Sequence, residues 1–215
     1  MKSIPLIRDF FTLAVVVGFI TGCASDNYKQ SANTAATLAQ SSGMITKGNT
    51  LIDESLADLN DLVSNPYSDL RPQFKRFNNA VDELGESVKD VAGKAGEMKS
   101  QGKDYFARWD KESAQIQNED IRTRSETRRN EVASRFDRIS EQYDETRTAF
   151  RPFMSDLRDV QKFLSTDLTT DGLAAIKDSA AKATQDAVPV KEALGRLSDE
   201  FKSLGLSMSP TTASR

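Results

Sequence analysis

Apolar residues in this chain recur at alternating steps of three and four along most of its length. That spacing returns to one face of a 3.6-residue helix at every turn. It therefore dictates long helices that bury a narrow stripe against one another. Four stripes can be traced. The first runs Ala35, Leu38, Ser42, Ile45, Asn49, Ile52, Leu56, Leu59, Val63, and the second Leu70, Phe74, Phe77, Val81, Leu84, Val88, Val91, Ala95, Met98, Gly102, Tyr105, Trp109. The third runs Val132, Phe136, Ile139, Tyr143, Thr146, Phe150, Phe153, Leu157, Val160, Leu164, and the fourth Leu173, Ile176, Ala180, Ala183, Ala187, Val190, Leu194, Leu197, Phe201, Leu204. No stretch alternates with period two over a useful length, so no strand is predicted. The predicted fold is all-α: an elongated antiparallel four-helix bundle with a protruding coiled-coil hairpin formed by helices 2 and 3.

The breaks fall where turn chemistry puts them. Asn65-Pro66 ends the first helix, Ser68 or Asp69 can cap the second, and Pro72 sits in its first turns. Thr169-Thr170-Asp171 supplies a turn and cap before the fourth, and Gly205 is predicted to end it. Pro152 and Pro189 sit inside the third and fourth helices and predict kinks. A turn near 118–121 sets Trp109 against Val132 and Met98 against Tyr143. On this register the first helix reaches about Met98 and the fourth about Asp137. Four helices then pack over roughly 50 Å, and helices 2 and 3 continue as a lone stalk of ~30 Å over 99–119 and back.

The N-terminus reads as an export leader. Lys2 and Arg8 precede an apolar run over 10–20, too short to span a bilayer, which needs ~20 residues. Ile20-Thr21-Gly22-Cys23 follows and looks like a lipobox, with Thr21 and Gly22 small enough for a cleavage site. Cys23 is the expected lipid attachment point, and it is the chain's one cysteine. Ala24 and Ser25 follow it, and the absence of Asp there resembles an outer-membrane sorting signal. The expected location is the inner leaflet of the outer membrane, facing the periplasm. The predicted organisation is a removed signal peptide over 1–22, an acylated cysteine and flexible tether over 23–31, a helical domain over 32–205 with its hairpin tip near 110–131, and a disordered tail over 206–215.

Removing the leader takes away Lys2, Arg8 and Asp9 and leaves 27 basic and 31 acidic residues. That acidic balance argues against nucleic acid as a partner. The chain has no histidine and a single cysteine, so the usual neutral-pH base and the usual metal-ligand clusters are missing. No phosphate-binding loop, GxSxG, GxGxxG or HExxH motif is present. Carboxylate pairs such as Asp53-Glu54 and Asp82-Glu83 point about 100° apart on a helix and do not share a site. No catalytic residue, metal or cofactor is expected, and an enzymatic reading would need carboxylate-only chemistry.

The tip is charge-patterned. Residues 121–130 carry Arg122, Arg124, Arg128 and Arg129, and the facing segment carries Asp104, Asp110, Glu112, Glu119 and Asp120. Interhelical salt bridging is the plain reading, and contact with anionic headgroups or a partner the sharper one. Tyr105 and Trp109 follow the core register, whereas Phe106 falls off it and is the better exposed anchor. Ser42 and Asn49 on the first seam either weaken that helix or select register. The Ala180, Ala183, Ala187 run allows close helix approach, or leaves a groove.

The stretches YFARWDKE, the Arg-rich segment to RRNEV, and FRPFMSDLRDVQKFLSTDL together resemble a bacterial lipoprotein family, the domain of unknown function 2959 family. The resemblance covers about 28–205. It implies a lipobox followed by a long helical domain, and it implies no activity. The functional expectation is a non-enzymatic envelope lipoprotein, a spacer, adaptor or scaffold anchored by acylated Cys23, with an envelope protein partner or self-association. The alternative is a lipid- or cell-wall-contacting module that uses the Arg-rich tip on headgroups, or the bundle groove to hold an acyl chain.

Overall fold

A computed structural model describes residues 24–209, with side chains described from residue 32 onward. It contains α1 (Ala24–Ser64), α2 (Arg71–Ser113), α3 (Glu119–Thr166), the short α4 (Thr170–Ala175) and α5 (Lys177–Met208). The described residues contain no strand. Helix α1 packs on α2 and α5, and α3 packs on the same two, so α1 faces α3 across a diagonal. The result is an up-down-up-down bundle with its core on the predicted seams. Phe77, Ile45, Ile52, Leu84, Ile139, Phe153, Leu157 and Leu197 are among the fully buried side chains.

The turns follow the local chemistry. Asn118 caps α3 by accepting from the Ile121 N–H at 3.1 Å. Thr169 caps α4 by accepting from the Gly172 N–H at 3.1 Å. A Cβ on Gly172 would stand 2.3 Å from the Asp167 carbonyl oxygen, so only glycine fits this turn. Leu70, not Ser68 or Asp69, occupies the N-cap position of α2, without a side-chain cap bond. Asp69 instead accepts from the Arg71 N–H at 3.1 Å and pairs with its guanidinium. Ile176 separates α4 from α5, so the predicted fourth helix begins as two segments. Pro152 and Pro189 lie inside helices that continue through them.

The bundle is longer than the seam predicts, and the lone stalk is correspondingly short. Thr37 on α1 meets Gln101 on α2 at 3.3 Å, beyond the expected limit at Met98. Arg135 and Arg128 on α3 reach Ser203 and the Ser207 carbonyl on α5, at 3.4 and 3.2 Å. Helix α5 thus accompanies the hairpin well past the start of the predicted stalk, and α1 reaches into it at Gln101. The backbone is helical from Ala24, where a flexible tether was expected. The physical reason is residue size. Ser42 on the seam of α1 and Thr34 and Ser41 beside it are buried, so small side chains let the helices approach where large apolar ones are lacking. Gly205 likewise does not end α5, which runs to Met208. A Cβ on it would lie 3.3 Å from the Ala35 carbonyl oxygen, so this glycine marks a close α1–α5 approach.

Candidate functional site

The hairpin tip is built by the end of α2 and the start of α3. Trp109 is half-buried, and its Nε1 donates to Ser125 Oγ at 2.9 Å; that hydroxyl lies 2.7 Å from the Ser113 hydroxyl. Tyr105 meets Trp109 edge-to-face at 5.4 Å. Tyr105 and Trp109 thus pack inward, as their register predicts.

Phe106 is not the exposed anchor expected. It is half-buried against Phe136, with ring centroids 5.3 Å apart, and the Arg129 guanidinium sits 5.0 Å above its ring. Its off-seam position is used because Gly102, one turn away, leaves room for the Phe136 ring; a Cβ there would stand 3.0 Å from it.

The four arginines divide. Arg129 makes a two-pronged pair with Asp110 across the hairpin at 2.9 and 3.0 Å. Arg128 bonds Glu131 on its own helix and the Ser207 carbonyl of α5. Arg122 reaches the Ile116 carbonyl at 3.4 Å and is half-buried. Arg124 points outward, 80% exposed, with Asp120 no nearer than 3.8 Å. Ile121, three residues before it, is 55% exposed. The tip therefore brings Arg129, Phe106 and Asp110 into one contact and leaves Arg124 and Ile121 free of it. Ile20, Thr21, Gly22 and Cys23 lie outside the described residues.

A second feature lies in the bundle itself, where the sequence left a groove for an acyl chain as an alternative without placing it. A cavity of about 70 Å³ lies within the bundle between α2 and α3. Leu84, Val88, Val91 and Phe150 supply apolar walls, and Tyr143 and Arg147 also line it. Burial pushes the Tyr143 phenol up from its ordinary pKa, with Arg147 opposing the shift. The sequence signal was present but unread: Gly93 and Gly96 lie on α2 beside a seam of short side chains, Val88, Val91 and Ala95.

The small-residue expectations resolve individually. Ala180, Ala183 and Ala187 are buried, the close-approach outcome. Ser42 is buried 2.8 Å from Ser198 Oγ, a polar clasp between α1 and α5. Asn49 Oδ1 is buried without a partner. Sequence reasoning missed Gln73, a fully buried amide that ties the α1–α2 turn together. It donates to the Asp61 and Asn65 carbonyls and to Asp61 Oδ2, and accepts from the Tyr67 N–H.

Among the described residues no helix is long and apolar enough to cross a membrane, and no group of three or more acidic, His or Cys side chains is placed to hold a metal. A family model described as Protein of unknown function (DUF2959) matches residues 30–200. No curated protein and no solved structure matches the chain.

Proposed function

The chain belongs to the DUF2959 family, and we propose that it is a non-enzymatic lipoprotein of the bacterial envelope, with a helical bundle that acts as a spacer or adaptor. Acylated Cys23 is its anchor, in the inner leaflet of the outer membrane, and its partner is a periplasmic protein or a second copy. The observation that carries this reading is the apolar run over 10–20 followed by Ile20-Thr21-Gly22-Cys23, with a long helical bundle after it. The tip also favours an adaptor over a headgroup binder, because Arg128 and Arg129 already bond groups on other helices, the Ser207 carbonyl of α5 and Asp110 of α2. A cation satisfied by the protein has less to gain from a phosphate.

The test combines metabolic labelling with a palmitate analogue and photo-crosslinking in cells. The full chain should take up the label and fractionate with outer membrane, and the Cys23→Ser chain should do neither. Photo-reactive side chains replacing Gln115, Ile121, Arg124 and Glu126 should give one discrete protein adduct. Equal lipid labelling of both chains would refute the anchor. Adducts to lipid alone would refute the adaptor and favour the headgroup reading, for which exposed Arg124 beside exposed Ile121 is the supporting observation.

A further inference from the structure

We propose that the slot between α2 and α3 binds the alkyl chain of a single-chain anionic amphiphile, a fatty acid or a lysophospholipid, with its headgroup at Arg147. The first support is an interrupted seam. Between Gly85 and Met98 no residue of α2 is buried, although Val88 and Val91 occupy core positions of the repeat. Opposite them Ile45, Phe150 and Leu197 are buried or nearly so. The bundle thus presents a finished apolar wall on three helices and leaves the fourth incompletely seated. Of the four adjacent helix pairs, α2 and α3 pack least extensively, though they are the two longest helices.

The second support is the shape and chemistry of the void. About 70 Å³ exceeds by several times the ~10–15 Å³ that one water requires, yet the walls offer almost no polar partner to hold water. Methylene groups placed there would make dispersion contacts with apolar walls on every side but the mouth. A smaller void shares Met44, Ile45, Val91 and Tyr143 with the first and continues towards Ala95 and Phe201. Together they follow the bundle axis from Leu84 to Ala95, roughly 16 Å at helical rise. That outline suits a chain better than a ring. Gly93 and Gly96 have nothing within 4 Å at the Cβ position, so α2 has room to adjust beside the slot.

The third support is charge. The one charged residue lining the larger void is Arg147, and the one lining the smaller is Lys94. Each is ion-paired with an acid three residues away on its own helix, Arg147 with Asp144 at 3.2 Å and Lys94 with Glu97 at 2.6 Å, but these are solvent-exposed pairs of small worth and neither acid lines a void. An apolar slot whose only bordering charges are cations selects an anionic headgroup over a neutral one. The acyl chains proposed on Cys23 are not the occupant, because Ile45 lies 21 residues along α1 from Ala24, about 31 Å away. The site is independent of the anchoring proposal.

The test uses the full chain in bacterial membranes with a medium-chain photo-reactive fatty acid, its neutral alcohol, and mass-spectrometric mapping of labelled peptides. Label should concentrate in segments 84–95 and 143–150, and unlabelled fatty acid or lysophospholipid should compete; which one competes identifies the source. Val91→Trp and Ser87→Phe, each checked for helix content and melting, should lower labelling about tenfold by filling the slot. Arg147→Glu should reduce labelling by the acid and spare that by the alcohol. The Cys23→Ser chain should label like the unaltered one. Label spread over all exposed helix faces, or unchanged by a folded slot-filling variant, would overturn the site. Equal labelling by acid and alcohol in every variant would overturn the headgroup assignment.

Discussion

Gln73 is the residue whose replacement the structure prices most sharply. It is fully buried where α1 turns into α2, and each of its amide groups is used. Its Oε1 accepts from the Tyr67 N–H at 2.9 Å, and its Nε2 donates to Asp61 Oδ2 and the Asn65 carbonyl, both at 2.9 Å. Gln73→Met keeps the volume and removes every bond. A buried polar group left unpaired costs ~1–3 kcal/mol, and more than one is orphaned here. Partial hydration through the turn offsets some of this, because Tyr67 is 54% exposed, and Asp61 keeps Arg76 at 2.7 Å. The net expectation is a loss of about 2–4 kcal/mol, or roughly 5–15 °C in Tm for a chain of this size. Gln73→Glu separates bonding from volume further. The new carboxyl would face Asp61 and two carbonyl oxygens without an amide donor, so its folded pKa would rise above the ordinary ~4.3. Its penalty relative to the unaltered chain is then small below that pH and grows as the pH rises towards neutrality. Urea melts of all three chains at about pH 4 and pH 7 decide the matter. A Met variant within ~0.5 kcal/mol of the parent would refute the reasoning, as would a Glu variant with no pH dependence of its deficit.

Three further outcomes follow from separate contacts. Gly172→Ala must displace the Asp167 carbonyl, 2.3 Å from the new Cβ, and should cost about 1–3 kcal/mol in a denaturant titration; a neutral result would mean that the 167–172 turn adjusts freely. Ser42→Ala and Ser198→Ala should each cost ~1–2 kcal/mol, whereas the double variant, which removes both buried hydroxyls, should lie close to the parent, and simple additivity in the mutant cycle would count against the clasp. Hydrogen bonds to Asp156 and Asp186 hold the Lys182 pKa above its ordinary value, so its contribution is full below about pH 10.4 and is lost as the pH rises beyond that. Lys182→Met should therefore flatten the alkaline fall in the urea midpoint, and an unchanged slope would contradict the assignment.

The legible part of the fold was the part that repeats. Leu38, Phe77, Ile139 and Leu197 lie in four separate stripes and are buried because each stripe returns to the same helix face at every turn. Asn118 and Thr169 were legible as turn residues because their short side chains satisfy exposed N–H groups at the starts of α3 and α4. What escaped were effects of size and approach. Gly205 reads as a stop signal, yet it sits within α5 where α1 comes too close for a larger residue. Phe106 falls off the repeat, yet the room left by Gly102 and the cation of Arg129 give it a packed environment. Gln73 carries no sequence mark at all, because its partners are backbone groups and one carboxylate, Asp61, of a turn formed by other residues.

The sequence by itself determined that this protein is helical, where its turns lie, and that it belongs to the DUF2959 family. These are consequences of local periodicity, turn chemistry and motif, which act over a few residues at a time. Only the tertiary structure decided how far α1 and α5 run beside the hairpin, which arginines are spent on protein partners, and where packing is left incomplete. Those properties depend on the separation of helices at each level of the bundle. That separation is set jointly by side chains from different helices, Ser42 with Ser198 and Gly205 with Ala35, whose meeting no single stretch of sequence encodes.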